Sequence, residues 1–144
     1  MVKNLLFRAD DLGYSEAVNY GIAKTLEFGL VKSLGVMINM PATQHGMDLV
    51  KDFDIALGLH TNICAGRPLT DAALIPSLVD EHGYFKSSKL YRTSQEDFLN
   101  LDQEILTNSS LTFPRPLEVA VLTDPQTKVW LEERQIKLID YREL

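Results

Sequence analysis

Apolar residues in the first sixty positions fall into short blocks separated by amphipathic stretches. Asn4 to Ala9, centred on Leu5-Leu6-Phe7, reads as a buried strand. Ser15 then opens a helix that Gly29 closes: Ser15 is a good N-cap, Glu16 sits beside the positive end of the helix dipole, and Ala17, Val18, Ile22 and Leu26 recur at helical spacing. Ser33 to Ile38 is a second apolar strand. Pro41-Ala42 opens a second helix through Val50, and Ile55 to His60 is a third strand that ends on a histidine. The order β-α-β-α-β on connections this short predicts parallel strands with right-handed crossovers. Beyond His60 the pattern loosens into a loop, Thr61 to Pro76, with Gly66-Arg67-Pro68 in its middle. Leu78 to Phe85 reads as a small hairpin, and Ser94 caps a helix to about Leu106. A polar, proline-bearing loop (Thr107 to Pro116) leads to a strand candidate, Leu117 to Leu122. Asp124-Pro125, a cap followed by proline at the first helical position, starts a helix to about Arg134, and Ile136 to Ile139 is a last strand.

Composition narrows the class. With 144 residues, 45% of them hydrophobic and 24% charged, the chain fits one globular domain, 1–144. A net charge of -6 and no cluster of Lys or Arg argue against nucleic acid as a partner. No apolar run approaches the roughly 18 residues of a membrane span, and Met1-Val2-Lys3-Asn4 begins no signal-peptide hydrophobic region. A cytoplasmic location is the resulting expectation, and the lone Cys64, which cannot form an intrachain disulfide, agrees with it.

The candidate chemistry lies at Ala9-Asp10-Asp11-Leu12-Gly13, adjacent carboxylates where the first strand runs out. Strand carboxyl ends are where ligands bind in open α/β sheets and α/β barrels; Asp-Leu-Gly is also an ordinary turn ahead of a helix. In a parallel sheet Asp11 and His60 share one rim. A carboxylate oxygen with an imidazole nitrogen suits Zn, Mn, Fe, Co or Ni, whereas Mg prefers an oxygen shell. The same beginning also permits a Mg-binding phosphoacceptor regulatory domain, although His60 stands where that fold needs an acceptor aspartate. His45 and His82 read as boundary and turn residues, and Cys64, four residues after His60, lacks a partner for a zinc site. Arg67 either contacts sugar hydroxyls or decorates its loop. Trp130 and Tyr141 offer sugar-stacking faces, and Trp130 equally fits a helix core.

Arg8-Ala9-Asp10-Asp11-Leu12-Gly13, Val18-Asn19-Tyr20-Gly21-Ile22, the Ser33 to Pro41 strand and turn, Gly58-Leu59-His60 and Gly66-Arg67-Pro68-Leu69 together resemble the YdjC family of carbohydrate deacetylases. The resemblance covers residues 3 to about 104. It resumes from about Leu117, with Leu122 to Pro125 and Ile136 to Leu144 similar to the family's final helix and strand. It implies an irregular (β/α) barrel that removes acetyl groups from small N-acetylated oligosaccharides, with Asp11 and His60 on a divalent metal, Mg or Zn, and Asp10 as general base. A metal-activated water would attack the acetamide carbonyl, releasing acetate and a free amine. The family's central segment, which bears a histidine cluster of the form Asp-Ser-His-His-His, has no counterpart here; the only histidines are His45, His60 and His82. Because a complete barrel takes about 250 residues, an incomplete one is expected. Its exposed strand edges predict a homo-oligomer, and a non-catalytic sugar-binding remnant is the alternative in function.

Overall fold

The structure, a computed structural model, describes residues 3–93 and 121–144. The chain divides into two compact units, one of residues 1–60 with 113–144 and one of 61–112.

The first unit is parallel α/β. It contains β1 (Lys3–Leu6), β2 (Arg8–Leu12), α1 (Glu16–Glu27), β3 (Ser33–Val36), α2 (Thr43–Val50) and β4 (Ala56–Leu59), then α4 (Pro125–Glu133) and β5 (Ile136–Ile139). Strands β2, β3 and β4 form one parallel sheet in chain order, and β1 pairs in parallel with β5 in a second. The single first strand expected over Asn4 to Ala9 is therefore two strands that part at Phe7. That stretch is also less buried than its apolar run suggests, with Lys3, Asn4 and Arg8 exposed and Leu5 and Leu6 half-buried. Apolar content marked the strand, but its division depends on which neighbour each half finds. Among the described residues, parallel strands alternate with helices in sheets that do not close, which corresponds to an incomplete barrel.

The helix boundaries follow their caps. The Ser15 side chain accepts from Val18 N, Gly29 takes a left-handed φ of 69° just beyond α1, and Asp124 accepts from Gln126 N ahead of Pro125. Helix α1 buries Asn19, Ile22, Thr25 and Leu26, while Ala17 is exposed, so the inward stripe is rotated slightly from the expected one. Ile22 and Leu26 join Leu12, Val31, Leu34, Val36 and Val50 in the core, and Val18, Met47 and Leu122 pack against it. Val121 to Thr123 are helical where a strand was expected. The Val121 carbonyl is taken locally, by the Asp124 amide and the Thr127 hydroxyl, and so makes no strand ladder. Residues 117–120, the expected 107–116 loop and the helix expected from Ser94 lie outside the described residues.

The last turn, Tyr141–Glu143, is pinned by Asp140, which is 3% exposed. Its carboxylate accepts from the Arg142 backbone at 2.8 Å and from the Arg142 guanidinium, which also reaches Asp54 at 2.6 Å just ahead of β4. These bonds, the Arg142 guanidinium foremost, hold the Asp140 carboxyl below the ordinary carboxylate range. Trp130 is half-exposed with Arg134 lying over its ring at 4.1 Å, so it is not a core residue.

In the second unit, Val79 and Phe85 form an antiparallel bridge around an Asp80 turn, as the hairpin expectation required. The described part also contains the turn Ala72–Leu74 and α3 (Ser88–Thr93).

Candidate active site

In a regular strand successive side chains point to opposite faces. An Asp10-Asp11 pair in an unbroken β2 would thus send its two carboxylates apart. The chain avoids this with a bulge: Ala9 is level with Leu34 and Leu12 with Val36, so Asp10 and Asp11 together oppose the single residue Gly35. Asp11 absorbs the extra residue at a left-handed φ of 69°, a conformation that Asp tolerates better than most non-glycine residues. Hydrogen bonds hold it there, from Tyr14 N to Asp11 O at 3.0 Å and from Met37 N to Leu12 O at 2.8 Å.

The bulge brings both carboxylates to one histidine. His60 follows β4, and its backbone N–H continues the ladder to Val36 O at 2.9 Å. Its Nε2 lies 3.1 Å from Asp11 Oδ1, and its Nδ1 lies 3.9 Å from Asp10 Oδ1. Asp11 is the more enclosed carboxylate and Asp10 the more open, with side chains 15% and 45% exposed. The sequence-predicted trio of Asp10, Asp11 and His60 is therefore gathered at one place.

Three further residues shape this place. Gly35 is its floor: a Cβ there would stand 2.2 Å from Asp10 Oδ1 and 3.1 Å from His60 Cβ, so only glycine leaves room for the carboxylate. Arg8 Nε donates to Asp10 Oδ1 at 2.5 Å. Asn19, completely buried in α1, ties the surrounding turns together. Its Oδ1 accepts from Gly13 N at 2.7 Å, and its Nδ2 donates to Ala42 O at 2.9 Å and to His45 Nδ1 at 3.0 Å. The Gly13 donor and the Ala42 acceptor fix the amide's orientation, which makes His45 Nδ1 an acceptor and leaves its proton on Nε2. A glycine inside a predicted strand is a known mark of close approach and was the available sign of Gly35. Arg8 and Asn19 lie in the quoted motifs, but nothing in their spacing signals these contacts.

The remaining candidates lie elsewhere or act differently. Arg67, in the second unit, has its guanidinium 4.4 Å from the centre of the Tyr84 ring. His82 is on the Asp80 turn with Nε2 3.5 Å from Glu81, and Cys64 is exposed. His45 packs edge-on against Tyr20 with ring centres 5.0 Å apart.

Two of these side chains fit a divalent ion. Ligands about 2.1 Å from one ion stand about 3.0 Å apart at the right angles of octahedral coordination and about 3.4 Å apart in a tetrahedron, and the 3.1 Å between Asp11 Oδ1 and His60 Nε2 falls within that range. One oxygen and one nitrogen donor favour zinc-like ions over magnesium. Among the described residues no group of three or more His, Cys, Asp or Glu stands ready to hold an ion.

A profile described as YdjC-like protein matches residues 4–108, a span that includes Asp10, Asp11 and His60. The chain belongs to the YdjC-like family. It is 44% identical over 86 residues to a carbohydrate deacetylase of Geobacillus stearothermophilus, a match covering 59% of this chain and 34% of the relative. It is 36% identical over 104 residues to a chitooligosaccharide deacetylase of Serratia marcescens, covering 72% of this chain and 40% of the relative. The chain thus spans well under half the length of these relatives. In fold it is similar to a crystal structure from Enterococcus faecalis V583 of a protein designated for cellobiose-phosphate cleavage, with TM-score 0.60 and 22% identity, covering 96% of this chain and 59% of that one.

Proposed function

We propose that this chain carries the working edge of a metal-dependent carbohydrate deacetylase acting on small N-acetylated sugars. The observation that carries the reading is the bulge that places two adjacent carboxylates against His60. Asp11 and His60 would hold the divalent ion, zinc in preference to magnesium. Such an ion, when bound, lowers the pKa of water and polarises an amide carbonyl. Asp10 is assigned as general base: it is the more open of the two carboxylates, and it stands beside the ion pair of donors without belonging to it. The reaction breaks the amide C–N bond with water and yields acetate and a free amine. Arg67 is assigned to sugar hydroxyls, with its guanidinium stacked on the Tyr84 ring.

Acetate release from N-acetylated chitooligosaccharides, with zinc or magnesium added, tests the proposal. Release that disappears in Asp10→Asn is the expected result, and unchanged release in that variant overturns the assignment of the base. Sugar binding without release in the unaltered chain would favour a non-catalytic carbohydrate-binding role. Homo-oligomerisation and a cytoplasmic setting complete the proposal. Exposed Leu57 and Leu59 on β4, the last strand of its described sheet, support the first. No helix among the described residues is long and apolar enough to cross a membrane.

A further inference from the structure

Strand β1 stands level with β5 so that Leu6 is paired with Ile139. Two residues further along each chain path come Arg8 and Tyr141, and Arg8 Nε donates to Asp10 Oδ1 at 2.5 Å. The Tyr141 and Asp10 side chains, Tyr141 first, hold the guanidinium above its ordinary pKa. The turn bearing Tyr141 is itself fixed by the Asp140–Arg142–Asp54 bonds.

The Arg8–Asp10 pair is about a third to a half exposed, and ion pairs in that environment add little stability. Their geometric effect is larger. Asp10 Oδ1 is 3.9 Å from His60 Nδ1, so a swing of roughly 1 Å would convert their separation into a hydrogen bond. Gly35 gives the carboxylate room to lie where it does, and the place where a Gly35 Cβ would stand is 3.0 Å from Arg8 Nη2. The planar guanidinium fork is suited to fixing the direction of a carboxylate, which a lysine ammonium does less well.

We infer that Arg8 is a positioning residue that keeps Asp10 off His60 and aimed into the site, an inference that rests on the reading of Asp10 above. Without Arg8, Asp10 would close onto His60 Nδ1 and both side chains would change orientation.

The test uses the full chain, ion-free and at one fixed pH, read by side-chain ¹⁵N–¹H spectra of its three histidines. In Arg8→Met the His60 signals should move toward those of a hydrogen-bonded Nδ1–H while those of His45 and His82 stay in place. Arg8→Lys should move them the same way by less, falling between Arg8→Met and the unaltered chain. In acetate release, Arg8→Met should lower kcat by about tenfold or more with KM nearly constant. Unmoved His60 signals in a folded Arg8→Met overturn the inference. If the unaltered chain releases no acetate, the functional reading fails while the histidine spectra still decide the role of Arg8.

Discussion

Replacing Gly35 by alanine isolates the floor of the site. The new methyl would stand 2.2 Å from Asp10 Oδ1, whereas ordinary contact begins at 3.4 Å, so the carboxylate must retreat by about 1.2 Å. Retreat is feasible, because Asp10 is partly exposed; Arg8 Nη2 at 3.0 Å and His60 Cβ at 3.1 Å from the new methyl need give only by a few tenths of an ångström. Crowding of this kind costs about 1–3 kcal/mol, and removing a glycine from a strand returns about 0.5–1 kcal/mol. The net loss of stability should be at most about 2.5 kcal/mol. The reaction should suffer more: a misplacement near 1 Å lowers a rate by about 10²-fold, equivalent to about 2.7 kcal/mol of barrier. Gly58 is the matched control, since it lies level with Gly35 on β4 and a Cβ there meets nothing closer than Leu34 O at 3.8 Å. Urea denaturation and acetate release, measured on Gly35→Ala and Gly58→Ala side by side, decide the matter. Gly58→Ala should keep both properties. If Gly35→Ala releases acetate as fast as the unaltered chain, the crowded floor has no bearing on the base and the reasoning is refuted.

Other expectations follow from the same geometry. Asn19→Ala strands the buried Gly13 amide and should lower stability by about 2–3 kcal/mol in urea denaturation; a loss under 0.5 kcal/mol, on the order of an ordinary surface change, would show that the turns hold without it. His60→Ala should weaken zinc binding by at least about a hundredfold in calorimetry, given that even outer partners of metal ligands are worth tenfold to a hundredfold. Asp140 gives a pH dependence of definite sign. Its folded carboxyl titrates below the ordinary 3.8, chiefly through Arg142, so the stability it contributes is complete above that value and is lost as pH falls through its lower folded value. Asp140→Asn should therefore be less stable than the unaltered chain at neutral pH, and the gap should narrow in acid; equal gaps at pH 6 and pH 3, roughly either side of the ordinary carboxylate pKa, would contradict this.

Much of the scaffold was legible because its signals are local. Ser15, Asp124 and Pro125 mark helix starts through bonds within one turn, and Gly29 marks an end through its own backbone freedom. The division of the first strand at Phe7 was not legible, since Leu5, Leu6 and Phe7 are equally apolar whichever partner strand lies alongside. Val121 misled for a related reason: a β-branched residue favours a strand only where a neighbouring strand waits to pair with it.

The site divides along the same line. By itself the sequence placed Asp10 and Asp11 at a strand end and His60 at another, and parallel topology put those ends on one rim. Only the tertiary structure decided that both carboxylates face the histidine, because this depends on a bulge opposite Gly35 and on the left-handed backbone of Asp11. It alone brought Arg8 to Tyr141 across nearly the whole chain. Residue type and spacing carry the chemistry a segment can perform, whereas the aim of each group is set by neighbours that the sequence holds far apart.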